Sequence, residues 1–253
     1  MILYDSPFSP FARKVRLVLS LKGLEAECID ALDHQHSEQL RKINGRAEVP
    51  ALVDDDVVVV NSADIVAYLE HRYPQNSVLP DCPKQRVNAR KWERIADTLV
   101  DPIMVDISYW MWAHRDDQMP EGMLDVAREN LATVYDQLES ELEEGDFICD
   151  ELSIADVALF PHLIGAKALG VPISKERHPN VIGWLARLRA LPQFKADMQR
   201  AMDFLSNLST SNIERTKIFW RGDRIEWVLA NGFADWFFNE IKSDRVLWPP
   251  QNL

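Results

Sequence analysis

A chain of 253 residues is long enough to bury a substantial core, as one large domain or two small ones. Its formal net charge of -12 argues against a nucleic-acid partner, because phosphate binding draws on clustered Lys and Arg that are outnumbered here. Three widely separated cysteines, Cys28, Cys82 and Cys149, lack metal-ligand spacing, so a reducing compartment and no metal are expected. No apolar run is long enough to span a membrane and no charged leader precedes the first strand, which together point to the cytoplasm.

In chain order, Ile2 to Tyr4 read as a short buried strand. SPFSPFARKVRLVL follows from Ser6. Pro10 has no N–H to lose in the first turn of a helix, so Ser9 falls at the N-cap. Val15, Val18 and Leu19 recur at helical spacing, with Arg13, Lys14 and Arg16 mostly on other faces. Ser9 can simply cap this helix, or serve an anionic ligand there, since unpaired N–H groups and the positive end of the dipole attract anions. A second strand is expected over Ala26 to Ile29 and a brief helix from Ser37. Ala51 to Val53 and Val57 to Val60 form a hairpin across the acidic turn Asp54 to Asp56. Ser62 then precedes an amphipathic helix buried through Ile65, Val66, Tyr68 and Leu69. The order is βαβαββα.

PQNSVLPDCPK, from Pro74, is a proline-punctuated linker. Beyond it the patterns are helical: Gln85 to about Asp117 with an interruption at Pro102, Glu121 to Glu144, Ser153 to Leu169 and His178 to Ala190. The fold class is therefore α+β, with a small domain over residues 1–78, an all-helical domain over 84–205 and an aromatic-rich extension over 206–253. The extension holds four of the eight tryptophans, too much aromatic area for a disordered tail. Ile225, Val228, Leu229, Phe233, Trp236 and Phe237 give it one helical stripe broken by Gly232. It either covers exposed core or a partner, or caps the cleft between the domains; Arg221-Gly222-Asp223 within it reads as a turn.

Four stretches together resemble the cytosolic glutathione transferase family. SPFARKVRLVL is similar to the N-terminal motif of its omega and tau classes, with Ser9 in the catalytic position. Val49-Pro50 matches a step whose proline is cis and whose valine backbone pairs with the peptide part of glutathione. Ser62 matches the serine that holds the γ-glutamyl carboxylate, and SIADVALF resembles the capping box of the helical domain, with Ser153 and Asp156 at reciprocal spacing. Read without the resemblance, Pro50 is a trans proline at a strand start and Ser62 a plain N-cap.

The resemblance implies a thioredoxin-like domain followed by an all-helical one, glutathione as co-substrate, a small hydrophobic electrophile as second substrate, and a homodimer. Ser9 would lower the pKa of the glutathione thiol by donating a hydrogen bond to the sulfur, with Arg13 adding to the field if it turns inward. Isomerase or lyase chemistry and a non-catalytic binding module are the alternatives. Two departures bear on affinity. Asn61 stands where the family has an acid beside the γ-glutamyl amine, and Glu48 stands where some classes have a lysine, leaving His36 or Arg46 for the glycine carboxylate. His34 and His36 form a loop pair without a third metal ligand. Phe8, Phe11, Tyr109 and Trp112 are the candidate walls of the electrophile pocket.

Overall fold

The computed structural model describes residues 1–31, 34–46, 48–112, 117–208 and 218–248. Strands β1 (Ile2–Asp5), β2 (Glu27–Asp30), β3 (Ala51–Asp54) and β4 (Val57–Val60) form one sheet in the order β2-β1-β3-β4. β1 runs parallel to β2 with Ile2 opposite Glu27, and antiparallel to β3 with Leu3 opposite Leu52; β3 and β4 are the expected hairpin. Asp55, at φ 53°, makes its turn. Helices α1 (Pro10–Lys22), α2 (His34–Ile43) and α3 (Ser62–Arg72) complete the βαβαββα unit. This is a thioredoxin-like domain. α2 begins earlier than Ser37, so His34 and His36 belong to a helix and not to a loop.

The helical domain contains α4 (Pro83–Ile95), α5 (Asp101–Trp112), α6 (Met123–Glu141), α7 (Ile154–Leu163), α8 (Pro179–Ala190) and α9 (Pro192–Leu208). The interruption anticipated at Pro102 is a π-helical segment, Ala96–Val100, that joins α4 to α5 and ends just before the proline. Pro102 thereby lies in the first turn of α5, where a missing N–H costs least. α9 carries no expectation of its own in the sequence patterns, although Pro192 opens it and Phe194 and Ala201 are buried from it. The capping box of α7 is present in full. Ser153 Oγ accepts from the Ala155 N–H at 3.3 Å, and Asp156 accepts from the Ser153 N–H at 2.9 Å. Asp156 also accepts from Trp184 Nε1 at 2.8 Å and the Ile148 N–H at 3.1 Å, which ties α7 to α8.

α1 departs from the amphipathic expectation. Arg13, Lys14 and Arg16 are all buried, because α1 packs against α7 and α9 of the helical domain as well as α3 of its own. Each side chain finds a carboxylate. Arg13 Nε donates to Asp197 Oδ2 at 2.8 Å and Arg16 Nη2 to Asp197 Oδ1 at 2.9 Å, while Arg16 also reaches Asp5 at 2.7 Å. Lys14 Nζ lies 3.2 Å from Glu93 and 2.6 Å from Asp97. The domains are thus joined by paired charges as well as apolar contact.

The extension is ordered over 218–248 and is not one helix. Gly232, at φ 87°, separates α10 (Gly222–Ala230) from α11 (Ala234–Lys242), and a two-residue parallel pair joins β5 (Ile218–Phe219) to β6 (Val246–Leu247). Trp220, Trp227, Val228 and Phe237 are buried against the helical domain. Trp220 packs on Tyr109 at 5.5 Å between ring centroids, and Trp227 Nε1 donates to Asn130 at 3.0 Å. Arg221-Gly222-Asp223 is the extended N-cap and first turn of α10, not a free turn.

Candidate active site

A cavity of about 560 Å³ opens between the thioredoxin-like domain, the α4 and π-helical stretch, and the start of α10. Its walls bring together segments far apart in the chain. Phe11 comes from α1; Asn44, Arg46, Glu48, Val49 and Pro50 come from the loop before β3; Asn61, Ser62 and Ala63 come from the start of α3. Arg90, Glu93, Arg94, Asp97 and Thr98 face them from the helical domain, and Arg221, Gly222 and Asp223 from the extension.

The Val49–Pro50 peptide is cis. It brings the Val49 backbone to the cavity wall just before β3. The cap of α3 is Asn61 and not Ser62: Asn61 Oδ1 accepts from the Ala63 N–H at 2.9 Å, and its φ of 71° with ψ of 129° lies outside the left-handed helical region, in a conformation that side-chain-bearing residues seldom adopt. Ser62 is the first helical residue and is buried, with its backbone among the unpaired N–H groups of the first turn. That N-terminus is a ready anion site on the cavity wall.

Ser9 caps α1. Its Oγ accepts from the Ala12 N–H at 3.4 Å, so its own hydroxyl proton remains available for donation, and the residue is partly exposed. Ser9 itself is not among the residues lining the cavity, whereas Phe11, two residues further along α1, is. Arg13 does not turn toward the site. Its guanidinium is held by Asp197 and by the Pro161 carbonyl at 3.2 Å.

Among the other anticipated residues the structure draws clear distinctions. His36 lies on α2 outside the cavity wall, and Arg46 lines it instead. Arg46 is engaged by Glu48, with Nε 2.9 Å and Nη2 3.2 Å from the two carboxylate oxygens, so the acid that stood against an anionic ligand is neutralised by its neighbour. Tyr109 is fully buried core beneath Trp220 and donates to Asp106 at 3.1 Å; it is no wall of a pocket. Phe8 is exposed and outside the cavity lining, and the Trp112 side chain lies outside the described residues. Of the three whose side chains are described, Phe11 lines the cavity. Its ring takes the Arg221 guanidinium at 4.7 Å from its centroid and the His162 ring edge-on at 6.1 Å.

Sequence reasoning missed the helical-domain and extension walls. Arg90, Arg94 and Asp97 sit at helical spacing within a stretch whose sequence pattern gives only a helix, and Arg221 and Asp223 fall in a segment that reads as a turn. Behind them lies a buried charged cluster. Asp101 accepts from Arg224 at 3.1 Å, with Arg221 at 3.7 Å and His162 at 4.0 Å. Burial drives the His162 pKa down to about 4, so the ring is neutral near pH 7. Burial also raises the Asp106 carboxyl well above the usual range despite the nearby Arg224. No group of three potential metal ligands occurs among the described residues, and no described helix is long and apolar enough to cross a membrane.

Comparison with known proteins agrees with this architecture. Residues 3–77 match the glutathione S-transferase N-terminal domain, and residues 120–187 match the C-terminal domain. Maleylacetoacetate isomerase of Pseudomonas aeruginosa is 30% identical over 68% of this chain and 84% of its own length. Protein LigF of Sphingobium is 27% identical over 77% of this chain and 92% of its own. The crystal structure of the latter, a beta-etherase, superposes with a TM-score of 0.66 over 78% of this chain and 98% of that one. A maleylacetoacetate isomerase structure from Methylobacterium with bound malonate and glutathione gives 0.63 at 28% identity, over 78% and 95% of the two chains. The chain therefore belongs to the glutathione S-transferase family, as a transferase-like enzyme with glutathione as its co-substrate.

Proposed function

We propose that this enzyme activates the glutathione thiol through Ser9 and adds the glutathionyl group to a small hydrophobic electrophile. The observation that carries the reading is the convergence, on one cavity, of the Val49 backbone before cis-Pro50, the free N-terminus of α3 at Ser62, and α1 two residues beyond Ser9. In this reading the Val49 backbone pairs with the peptide part of glutathione, and Ser62 with the first N–H groups of α3 holds the γ-glutamyl carboxylate. Arg46 stands nearer the cavity than His36 for the glycine carboxylate, sharing its charge with Glu48. Phe11 contributes apolar surface for the electrophile.

Ser9 acts on charge and not as a nucleophile. Its hydroxyl donates to the sulfur, and the α1 N-terminus adds a field of the same sign, so the thiol proton leaves to solvent more readily. The thiolate then attacks the electrophilic carbon; a C–S bond forms and the leaving group departs with the electron pair of the broken bond. A serine cannot form the mixed disulfide that a cysteine would, which favours transfer over thiol reduction. The exposed valines 57, 58 and 60 on the edge strand β4, with Val87 on α4, supply apolar surface suited to a homodimer. A cytoplasmic, reducing setting suits both the free cysteines and the co-substrate.

The similarity to a beta-etherase and to maleylacetoacetate isomerases favours a second reading of the same site. In the first case the leaving group would be the oxyanion of the cleaved ether; in the second the thiolate would add reversibly and be expelled, with no net thiol consumed. Thiol consumption and product formation across a panel of aryl halides, β-aryl ethers and cis-enones separate the readings. Ser9→Ala is expected to lower the chemical step about ten- to a hundredfold on the preferred class, the loss of one activating hydrogen bond. Equal turnover by the variant, where chemistry limits the rate, would remove Ser9 from the mechanism.

A further inference from the structure

Asn61 leaves glutathione without the carboxylate that its ammonium would meet beside Ser62, and the cavity offers few replacements. Four carboxylates line it: Glu48, Glu93, Asp97 and Asp223. Three are already matched by cations. Glu48 is gripped by Arg46, Glu93 by Lys14 and Arg90, and Asp97 by Lys14 at 2.6 Å. Asp223 has no hydrogen bond or ion pair among the described residues. It is also the one carried by the extension, in the first turn of α10.

The cations of the cavity sort in the same way. Arg46 and Arg90 are paired within it, and Arg221 is drawn to Asp101 and the Phe11 ring, but Arg94 has no partner among the described residues. The cavity thus presents one uncommitted charge of each sign, Asp223 and Arg94, alongside the N-terminus of α3. A ligand carrying both an ammonium and a carboxylate suits that set, and an amino-acid head group is such a ligand.

Resting on the glutathione reading above, we propose that Asp223 binds the γ-glutamyl ammonium of the co-substrate, so that the C-terminal extension is a working part of the glutathione site. The family acid missing at Asn61 is replaced from the far end of the chain. The extension then does more than cover core: its first turn closes over the peptide's amino end, and its remaining helices hold that turn in place through Trp220, Trp227 and the Arg224–Asp101 pair.

Calorimetric titration of wild type and Asp223→Asn with glutathione and with its des-amino analogue, which keeps both carboxylates and the thiol, tests this directly. Wild type is expected to prefer glutathione over the analogue by about tenfold, the effect of one charge-assisted contact, and Asp223→Asn to lose that preference while binding the analogue unchanged. Equal weakening of both ligands would assign Asp223 a purely structural role, and an undiminished preference would place the ammonium elsewhere; either result overturns the proposal. Failure of wild type to bind glutathione at all would overturn the underlying reading as well, and is distinct from both.

Discussion

Ser9 and Ser62 show how one residue type at a helix start can serve two purposes. Ser9 caps α1 through a long 3.4 Å contact and keeps its proton for a ligand. Ser62 is relieved of capping by Asn61 and is left with its first-turn N–H groups. The residue pair was legible in the sequence as a helix start, but the division of labour was not, because it depends on the unusual backbone of Asn61 at φ 71°. His162 carries a prediction at the same scale. Its pKa is about 4 in the folded protein, against an ordinary value near 6.5, so between these limits the unfolded chain binds the extra proton. Its contribution is fully present above about pH 6.5 and is lost as pH falls toward 4, where it levels off. Urea unfolding of wild type and His162→Gln from pH 7 to pH 4 should show wild type losing about 3 kcal/mol relative to the variant. Parallel profiles would mean the ring is protonated in the fold.

Helix α1 illustrates what element-level patterns reveal and what they hide. Its start and its buried Val15, Val18 and Leu19 follow from the sequence. The burial of Arg13, Lys14 and Arg16 does not, since their partners Asp197, Glu93 and Asp97 lie 79 to 184 positions away and carry no local signal. Asp197 is shared by two buried guanidiniums, so Asp197→Ala leaves Arg13 without a carboxylate, held only by the Pro161 carbonyl, and Arg16 with Asp5 alone as its counter-charge. A loss of about 3 kcal/mol is expected in the urea midpoint with an unchanged slope, because breaking a buried pair strands its partner. A shift within a few tenths of a kcal/mol would mean that water reaches the guanidiniums. The extension gives the complementary case: its apolar stripe was readable, but the break into α10 and α11 turns on Gly232 at φ 87°, and the site role of Arg221 and Asp223 on where α10 docks.

Over the whole molecule, the two-domain architecture was the most legible feature, because strand alternation before Pro74 and helical spacing after Pro83 are set by short-range patterns. The cavity was legible only on its thioredoxin-like side. Its other walls arise from tertiary packing: Tyr109 is held in the core by Trp220, and the α4 and π-helical stretch supplies the wall bearing Arg90, Arg94 and Asp97. Deleting residues 210–253 should therefore do two things at once. It should expose Tyr109 and Trp110, lowering thermal stability and solubility, and it should weaken glutathione binding by removing Asp223 and the Arg221 contact with Phe11. A truncated protein with unchanged melting temperature and unchanged affinity would show that the extension is dispensable to both.

The central claim is that Ser9 shifts the acidity of the bound thiol, and the ultraviolet absorbance of the thiolate reports that shift without any choice of electrophile. Titrating the glutathione complex with pH should give a midpoint below the roughly 8.5 of a free thiol in wild type, and a return toward that value in Ser9→Ala. Midpoints that coincide in the two proteins would contradict the account.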